Sequence, residues 1–383
     1  MRYKTVGEIF EVVTDYVANG SFKSLKDNVN YVENGYAALI RLVDYRNNFK
    51  NSLQYIDKKS YDFLLKTKLY GGEIVISNVG ANAGTIFRVP KLGIPMSLGP
   101  NTITINTSEK ITNDYYYYYF QSHNGQNLIH SIISGSAQPK FNKTDFKNLS
   151  VPYPSIKEQK ETVDILNALD KKIELNSKIN TNLLELLDTE FTNQFINSDL
   201  PIGKVNDFVS IKRGSSPRPI KNFLSDKGRA WIKISDVTKL TSPFLYDTAQ
   251  SIKESGIDKS RTIKPGTLIL SNSATPGIPI ISEILASVHD GWLIVDHYTH
   301  MDRNWFYLFF RQMRRQLIAR ANGSVFNNLK TDIVKDFPVP IAKEEELLKF
   351  KRISNPIFDK LDKLQQENIV LSKLKDILLK QYF

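Results

Sequence analysis

Ser155-Ile156-Lys157-Glu158, followed by a run to Leu200 with neither Pro nor Gly, decides the fold of this 383-residue chain. The opening tetrapeptide is an S-x-x-E capping box, set just after Pro152 and Pro154, and it predicts a helix start. Behind it, Leu166, Leu169, Ile173, Asn176, Asn180, Leu183 and Leu187 follow at alternating spacings of three and four. That spacing is the a/d seam of a coiled coil. A helix of about 40 residues would be about 60 Å long, more than a compact domain needs. An amphipathic bundle helix is the commoner fate of such a pattern, and a second stretch counts against it. There Ile357, Leu361, Leu364, Asn368, Leu371, Lys375 and Leu378 repeat the seam. A shift of 188 lays Leu169 on Ile357, Ile173 on Leu361, Asn180 on Asn368 and Leu183 on Leu371. A seam Asn in both helices costs stability but fixes register and partner. The reading is two long helices that pair antiparallel within one chain.

The rest of the chain repeats as well. Val6-Gly7-Glu8-Ile9 is answered by Ile202-Gly203-Lys204-Val205, and residues 38–44 by residues 230–236, both alternating like half-buried strands. Gly72-Glu73-Ile74-Val75-Ile76-Ser77-Asn78 is answered by Gly266-Thr267-Leu268-Ile269-Leu270-Ser271-Asn272, each running on to a further Gly, Gly84 or Gly277. Aromatic, helix-like runs follow at residues 115–120 and 305–310. Each copy closes on Gly-Ser, Lys-Thr-Asp and a Pro-rich strand: Gly135-Ser136, Lys143-Thr144-Asp145 and Val151-Pro152-Tyr153-Pro154, then Gly323-Ser324, Lys330-Thr331-Asp332 and Phe337-Pro338-Val339-Pro340. One match is weak; six in the same order define a unit of about 190 residues used twice. The expected class is α+β with pseudo-two-fold symmetry: two similar strand-rich mixed domains, residues 1–154 and 201–340, separated by two long helices, residues 155–200 and 341–383, paired as an antiparallel coiled coil. Asn355-Pro356 reads as an N-cap followed by Pro at the first helical position, so the second helix is expected to start late.

Composition narrows the function. Hydrophobic residues make up 41% and charged residues 24%, the balance of a globular chain. A net charge of +11 points to a polyanionic partner. The absence of cysteine excludes disulfides and thiolate metal or redox sites, and is compatible with the cytoplasm. No stretch reads as a signal peptide, and the most apolar region, residues 277–295, is broken by Glu283, His289 and Asp290, so no membrane partner is expected.

Arranged as domain, G-S…K-T-D…V-P-Y-P and helix, then domain, G-S…K-T-D…F-P-V-P and helix, the chain resembles a specificity subunit of a type I restriction-modification system along its whole length. The resemblance implies two target-recognition domains, each reading one half of a split site in double-stranded DNA, and two conserved spacer helices. It further implies two methyltransferase (modification) subunits as partners, joined for restriction by translocase-nuclease subunits. S-adenosylmethionine, ATP and Mg are then expected on those partners and no cofactor on this chain. Pro356 in the second helix and Lys375 on its seam depart from a perfect duplication.

No catalytic constellation or metal site is read in the sequence. Asn355-Pro356-Ile357-Phe358 echoes an amino-methyltransferase loop but lacks its second Pro and any upstream glycine-rich cofactor loop. His297 and His300, beside Asp296, read better as structural histidines than as metal ligands. For DNA, the strongest stretch is residues 211–221, where Lys212, Arg213, Arg218 and Lys221 lie among Gly214, Ser215 and two prolines. Arg suits guanine edges and phosphates, while Gly and Ser let the backbone approach. The same composition fits a solvated basic loop equally well. The first repeat's counterpart, Asn19-Gly20-Ser21-Phe22-Lys23, is less basic. Further candidates are Asn78, Asn82 and Asn272, suited to adenine edges but also ordinary turn residues, and Lys140 with Asn142. Arg311, Arg314, Arg315 and Arg320 either track phosphate or form a wet helix face, and the tyrosines of residues 115–119 are expected in the core. The competing reading is a stand-alone DNA-binding scaffold or regulator that recruits proteins through its helices.

Overall fold

The computed structural model describes residues 2–49, 53–238, 240–321 and 328–383. Gly323-Ser324, one half of a repeat match, lies outside the described residues. The chain divides into two compact units, Met1–Lys171 with Ser372–Phe383, and Lys172–Leu371.

In the first unit Tyr3–Thr5 pairs with Ser150–Pro152. An antiparallel sheet follows in the order Val12–Asp15, Thr102–Asn106, Ile74–Ser77, Ile86–Arg88. A five-stranded sheet runs Tyr31–Val32, Gln54–Ile56, Ala37–Ile40, Met96–Leu98, Lys68–Leu69, with its Ala37–Ile40 and Met96–Leu98 strands parallel. The second unit repeats this plan. Ile202–Lys204 pairs with Pro338–Pro340. One sheet is ordered Ser210–Arg213, Trp292–Asp296, Thr267–Ser271, Pro279–Ser282, with Phe244–Leu245 added at its edge. The other is ordered Leu224–Ser225, Ser251–Ile252, Arg229–Ile232, Ala286–Val288, Arg261–Ile263, with Arg229–Ile232 and Ala286–Val288 parallel. The two units share their strand order, as the repeated sequence requires.

Local chemistry explains the shared turns. Gly84 and Gly277 both sit at positive φ, +95° and +77°, and their amides donate to Ser77 and Ser271 carbonyls at 2.7 Å. A side chain at that φ is strained, so glycine marks the same turn twice. The alternating stretches at residues 38–44 and 230–236 are only partly strands. Strands Ala37–Ile40 and Arg229–Ile232 give way to helical turns Leu42–Arg46 and Ile234–Val237. Asp44 and Asp236 cause the switch, accepting from the Arg41 and Lys233 amides at 2.9 and 2.8 Å. The Ala37–Ile40 strand is also buried on both faces rather than half-buried, because it lies inside its sheet.

The first long helix spans Ile156–Phe191, then widens into a π-turn at Thr192–Ile196, so it ends short of Leu200. Its predicted capping box forms: the Glu158 carboxylate accepts from the Ser155 hydroxyl at 2.7 Å and the Ser155 amide at 2.8 Å. Those two bonds hold the Glu158 carboxyl below its ordinary range. The second long helix spans Glu344–Tyr382 with Pro356 inside it, which overturns the late start. Lys343 begins it, donating its amide to Glu346 at 2.9 Å. Leu347, Phe350 and Ser354 are buried upstream of the proline, as are Phe358 and Leu361 downstream. That packing outweighs the ~3 kcal/mol that an interior proline costs.

Antiparallel pairing is visible within each unit. In the second, Lys172 pairs with Glu367 at 3.4 Å, Asn176 donates to Glu367 and Asn368 at 2.8 and 2.9 Å, and Phe191 meets Phe350 at 5.8 Å between ring centres. In the first, Asp170 accepts from Lys375 at 2.7 and 2.9 Å, and Val163 and Leu166 share a core cluster with Leu379. Leu166, Asn176, Asn180, Leu187, Leu361 and Leu364 are buried on the expected seam, while Leu169, Ile173, Leu183, Ile357, Asn368 and Leu371 are half-buried. Leu184 and Phe191 lie deeper than Leu183.

Candidate nucleic-acid interface

In the second unit the strand Ser210–Arg213 feeds a loop pinned against the connection His289-Asp290-Gly291. Gly214 donates its amide to the Trp292 carbonyl at 2.9 Å, and Ser215 to Val288 at 3.2 Å. A β-carbon on Gly214 would stand 2.1 Å from the His289 carbonyl oxygen, so only glycine permits the approach.

Asp290 is the hub of this region. Its carboxylate accepts from the Ser216 hydroxyl at 2.9 Å and from Arg218 Nη2 at 3.0 Å, with Arg213 Nη2 at 4.0 Å. Its main-chain oxygen accepts from Arg213 Nε at 2.8 Å and Asn272 Nδ2 at 3.1 Å. Burial opposes ionisation of Asp290. The Ser216 bond and the two guanidiniums outweigh it and hold the carboxyl below its ordinary range. Even so paired, the Arg218 side chain is 80% exposed and that of Arg213 56%. Lys212 pairs with Asp296 at 3.2 Å, and Lys221 is exposed on the following turn, Ile220–Asn222. Four of the five residues predicted on this loop, Lys212, Arg213, Ser215 and Arg218, therefore sit along its strand and pinned turn. Ser216 and Asp290 went unread because their role depends on a contact across 74 positions.

Asn272 is only 4% exposed and serves as a tie. Its amide donates to Gly291, its carbonyl accepts from Leu329, and its Nδ2 reaches Asp290. Asn78 does the same in the first unit, donating its amide to Asn101, accepting from the Phe141 amide and returning Nδ2 to the Phe141 carbonyl at 3.2 Å. Both residues tie loops together, Asn272 buried and Asn78 half-buried. Asn82 accepts from Arg46, Lys140 lies exposed on a bridge with Ser134 and Val79, and Asn142 caps the helix Lys143–Lys147 by accepting from the Asp145 amide at 2.8 Å.

The first unit places different chemistry at the corresponding loop. The strand Val12–Asp15 leads into the turn Tyr16–Asn19 and the helix Phe22–Asn28. Beside them a cleft of about 550 Å³ is lined by Tyr16, Phe22, Leu25, Tyr31, Asn78 and Asn101, with Phe22 84% exposed. Asn19 is turned inward, donating to Thr67 Oγ1 at 2.8 Å and accepting from the Lys66 amide at 2.9 Å.

The remaining candidates resolve simply. Arg311 Nε donates to both Asp188 carboxylate oxygens at 2.8 and 3.0 Å, Arg314 donates to the Pro276 carbonyl at 3.0 Å, and Arg320 lies over the Phe337 ring. The tyrosines of residues 115–119 are core, Tyr117 half-buried and the others buried. His300 meets the Ala342 carbonyl at 2.8 Å, whereas His297 is exposed. Among the described residues no three His, Asp or Glu side chains gather as a metal site, and no helix is long and apolar enough to cross a membrane.

Comparison with known proteins agrees with this geometry. Residues 1–185 match the model of the type I restriction modification DNA specificity domain. Two Methanocaldococcus jannaschii proteins, the type I restriction enzyme MjaIX and MjaVIII specificity subunits, are 21% and 22% identical to the chain. The alignments cover 74% and 78% of this chain and 71% and 76% of those subunits. The crystal structure of the type I restriction-modification system S subunit from M. genitalium shares the fold over 100% of this chain and 96% of its own, with a TM-score of 0.57 at 16% identity. The first 185 residues thus match the type I restriction modification DNA specificity domain, and the whole chain shares the fold of an S subunit of such a system.

Proposed function

We propose that the chain is the non-catalytic, sequence-reading subunit of a type I DNA-modifying complex in the cytoplasm, with each repeat reading one half of a bipartite site in double-stranded DNA. One observation carries this reading: a single scaffold occurs twice, and the segment at the same place carries Arg213 and Arg218 in one copy and, in the other, the exposed Phe22 with Lys23 beside an aromatic-lined cleft. Equal frames with unequal loops suit an asymmetric target. The long helices are the proposed docking surface for two methyltransferase subunits and the ruler of the gap. Exposed apolar residues recur on them at the repeat offset of 188, Ile165 with Ile353 and Leu186 with Leu374, and each compact unit carries one of each pair. Two equivalent patches fit two copies of one partner. S-adenosylmethionine, ATP and Mg would then belong to the methyltransferase and translocase-nuclease subunits.

The test is expression with a candidate methyltransferase, followed by methylome sequencing. The expected product is a bipartite, asymmetric motif with an unspecified gap, and the Arg213→Ala, Arg218→Ala double variant should relax one half of it. The purified chain alone, given S-adenosylmethionine, should methylate nothing. Methylation by the lone chain, or a motif read as one uninterrupted block, would overturn the proposal.

A further inference from the structure

We propose that Asp290 is a positioning residue that presents Arg218 and Arg213 to a guanine edge, so that the half-site of the second repeat contains a guanine. This rests on the reading of the loop as a DNA interface and adds the base it reads. A loop that only grips phosphate has no use for a carboxylate among its arginines, since a nearby negative charge weakens phosphate attraction. Here the carboxylate side chain is itself 38% exposed and bonds Arg218 and Ser216. The cost in phosphate affinity is offset only if orientation matters. Orientation matters for base edges: guanine offers two acceptors, O6 and N7, to a guanidinium fork held at a fixed angle. Asp290 engages one nitrogen of Arg218 and, through its main chain, Nε of Arg213. The remaining N–H groups of both forks lie on exposed side chains.

The hub is also braced from behind, which a casual surface ion pair is not. Asn272 donates to the Asp290 carbonyl, Gly214 and Ser215 are bonded to residues on either side of it, and Gly291 donates its amide to His289 Nδ1 at 2.8 Å. Supporting contacts of this kind hold a recognition group within the narrow geometry that base reading needs. In the first repeat the same connection between parallel and antiparallel strands reads Gly99-Pro100-Asn101, with Pro100 where Asp290 stands. The device therefore belongs to one half of the target, and the other half is a control within the same molecule.

The experiment uses the full chain with its co-expressed modification partner. Methylome sequencing supplies the target, and binding to target, single-substituted and unrelated duplexes is then measured across salt for the wild type, Asp290→Asn and Arg218→Lys. Asp290→Asn keeps the shape and removes the charge. It should raise affinity for unrelated duplex several-fold and cut discrimination about tenfold at one guanine in one half-site, leaving the other half-site unchanged. Arg218→Lys, which keeps charge and loses the fork, should lose the same discrimination while keeping unrelated-duplex binding. A half-site without guanine overturns the proposal. So does an Asp290→Asn protein that loses target and unrelated binding together, because a mere loop staple would do that. If Arg213→Ala with Arg218→Ala changes neither affinity nor motif, the loop is not an interface and the underlying reading falls instead.

Discussion

Gly214 has no room for a methyl group: its β-carbon would lie 2.1 Å from the His289 oxygen and 2.9 Å from that of Val288. Gly214→Ala must push the loop off the His289-Asp290-Gly291 connection, and about 1–3 kcal/mol of stability should go with it; an unchanged urea midpoint would count against this packing. His289 beside it predicts a pH dependence. Its Nδ1 accepts the Gly291 amide, and Trp231 and Trp292 rings lie 5.9 and 6.3 Å away. Burial lowers its pKa against the pull of Asp290 and Asp236. The sign follows directly. Below the ordinary value of 6.5 the unfolded imidazole binds a proton that the folded one resists, so stability falls as pH drops through that value. Urea midpoints at pH 7.5 and 5.5 should differ more for the wild type than for His289→Gln. At this scale the sequence showed where the cations were, but not that Lys212 and Arg213 close the strand Ser210–Arg213, so that only the residues from Gly214 onward form the irregular loop that Gly, Ser and Pro predict. It did not show their partner, since an Asp before a Gly reads as an ordinary turn until the fold sets it against residue 216. Asparagine suits adenine edges and loop ties alike, so the sequence did not show that Asn78 and Asn272 reach across to Phe141 and Asp290.

Among the elements, the long helices were the most legible, since seven seam positions sum to a strong signal where any one is weak. The proline was misread because its local preference was weighed alone; Phe350, Phe358 and Leu361, buried on both sides of it, decide the matter. The two short helical turns hidden in apparently alternating strands were lost similarly, to a single capping Asp in each. The seam asparagines differ in a way that only packing reveals. Asn176 bonds across the pair, whereas Asn180 is fully buried with neither carboxamide atom in a hydrogen bond. A buried polar group of that kind costs about 1–3 kcal/mol. Asn180→Leu should therefore raise the unfolding midpoint by a comparable free energy, and Asn176→Leu, which strands Glu367 and Asn368, should gain less or lose. If Asn180→Leu instead destabilises the chain, the carboxamide has a structural task that its burial does not show.

For the whole molecule, duplication makes the target's geometry a testable consequence of the helices. If they are the ruler, lengthening both by one heptad keeps the apolar stripe and adds ~10 Å. The place of insertion follows from the pairing. The repeat offset of 188 equates Ile173 with Leu361, but that equivalence relates copies and not contacts. Asn176 lies against Asn368, so three residues back along one helix of an antiparallel pair and three forward along the other set Ile173 across from Leu371. The heptads therefore belong after Ile173 and, because the helices run oppositely, just before Leu371; placed after Leu361 instead, the second would face unmatched residues and break the register it was meant to extend. At ~3.4 Å per base pair the matched insertion should widen the gap by up to about three base pairs, with both half-site sequences retained. Methylome sequencing of cells carrying the variant reads out both quantities at once. A gap that stays the same while the half-sites change would mean that something other than the helices sets the distance.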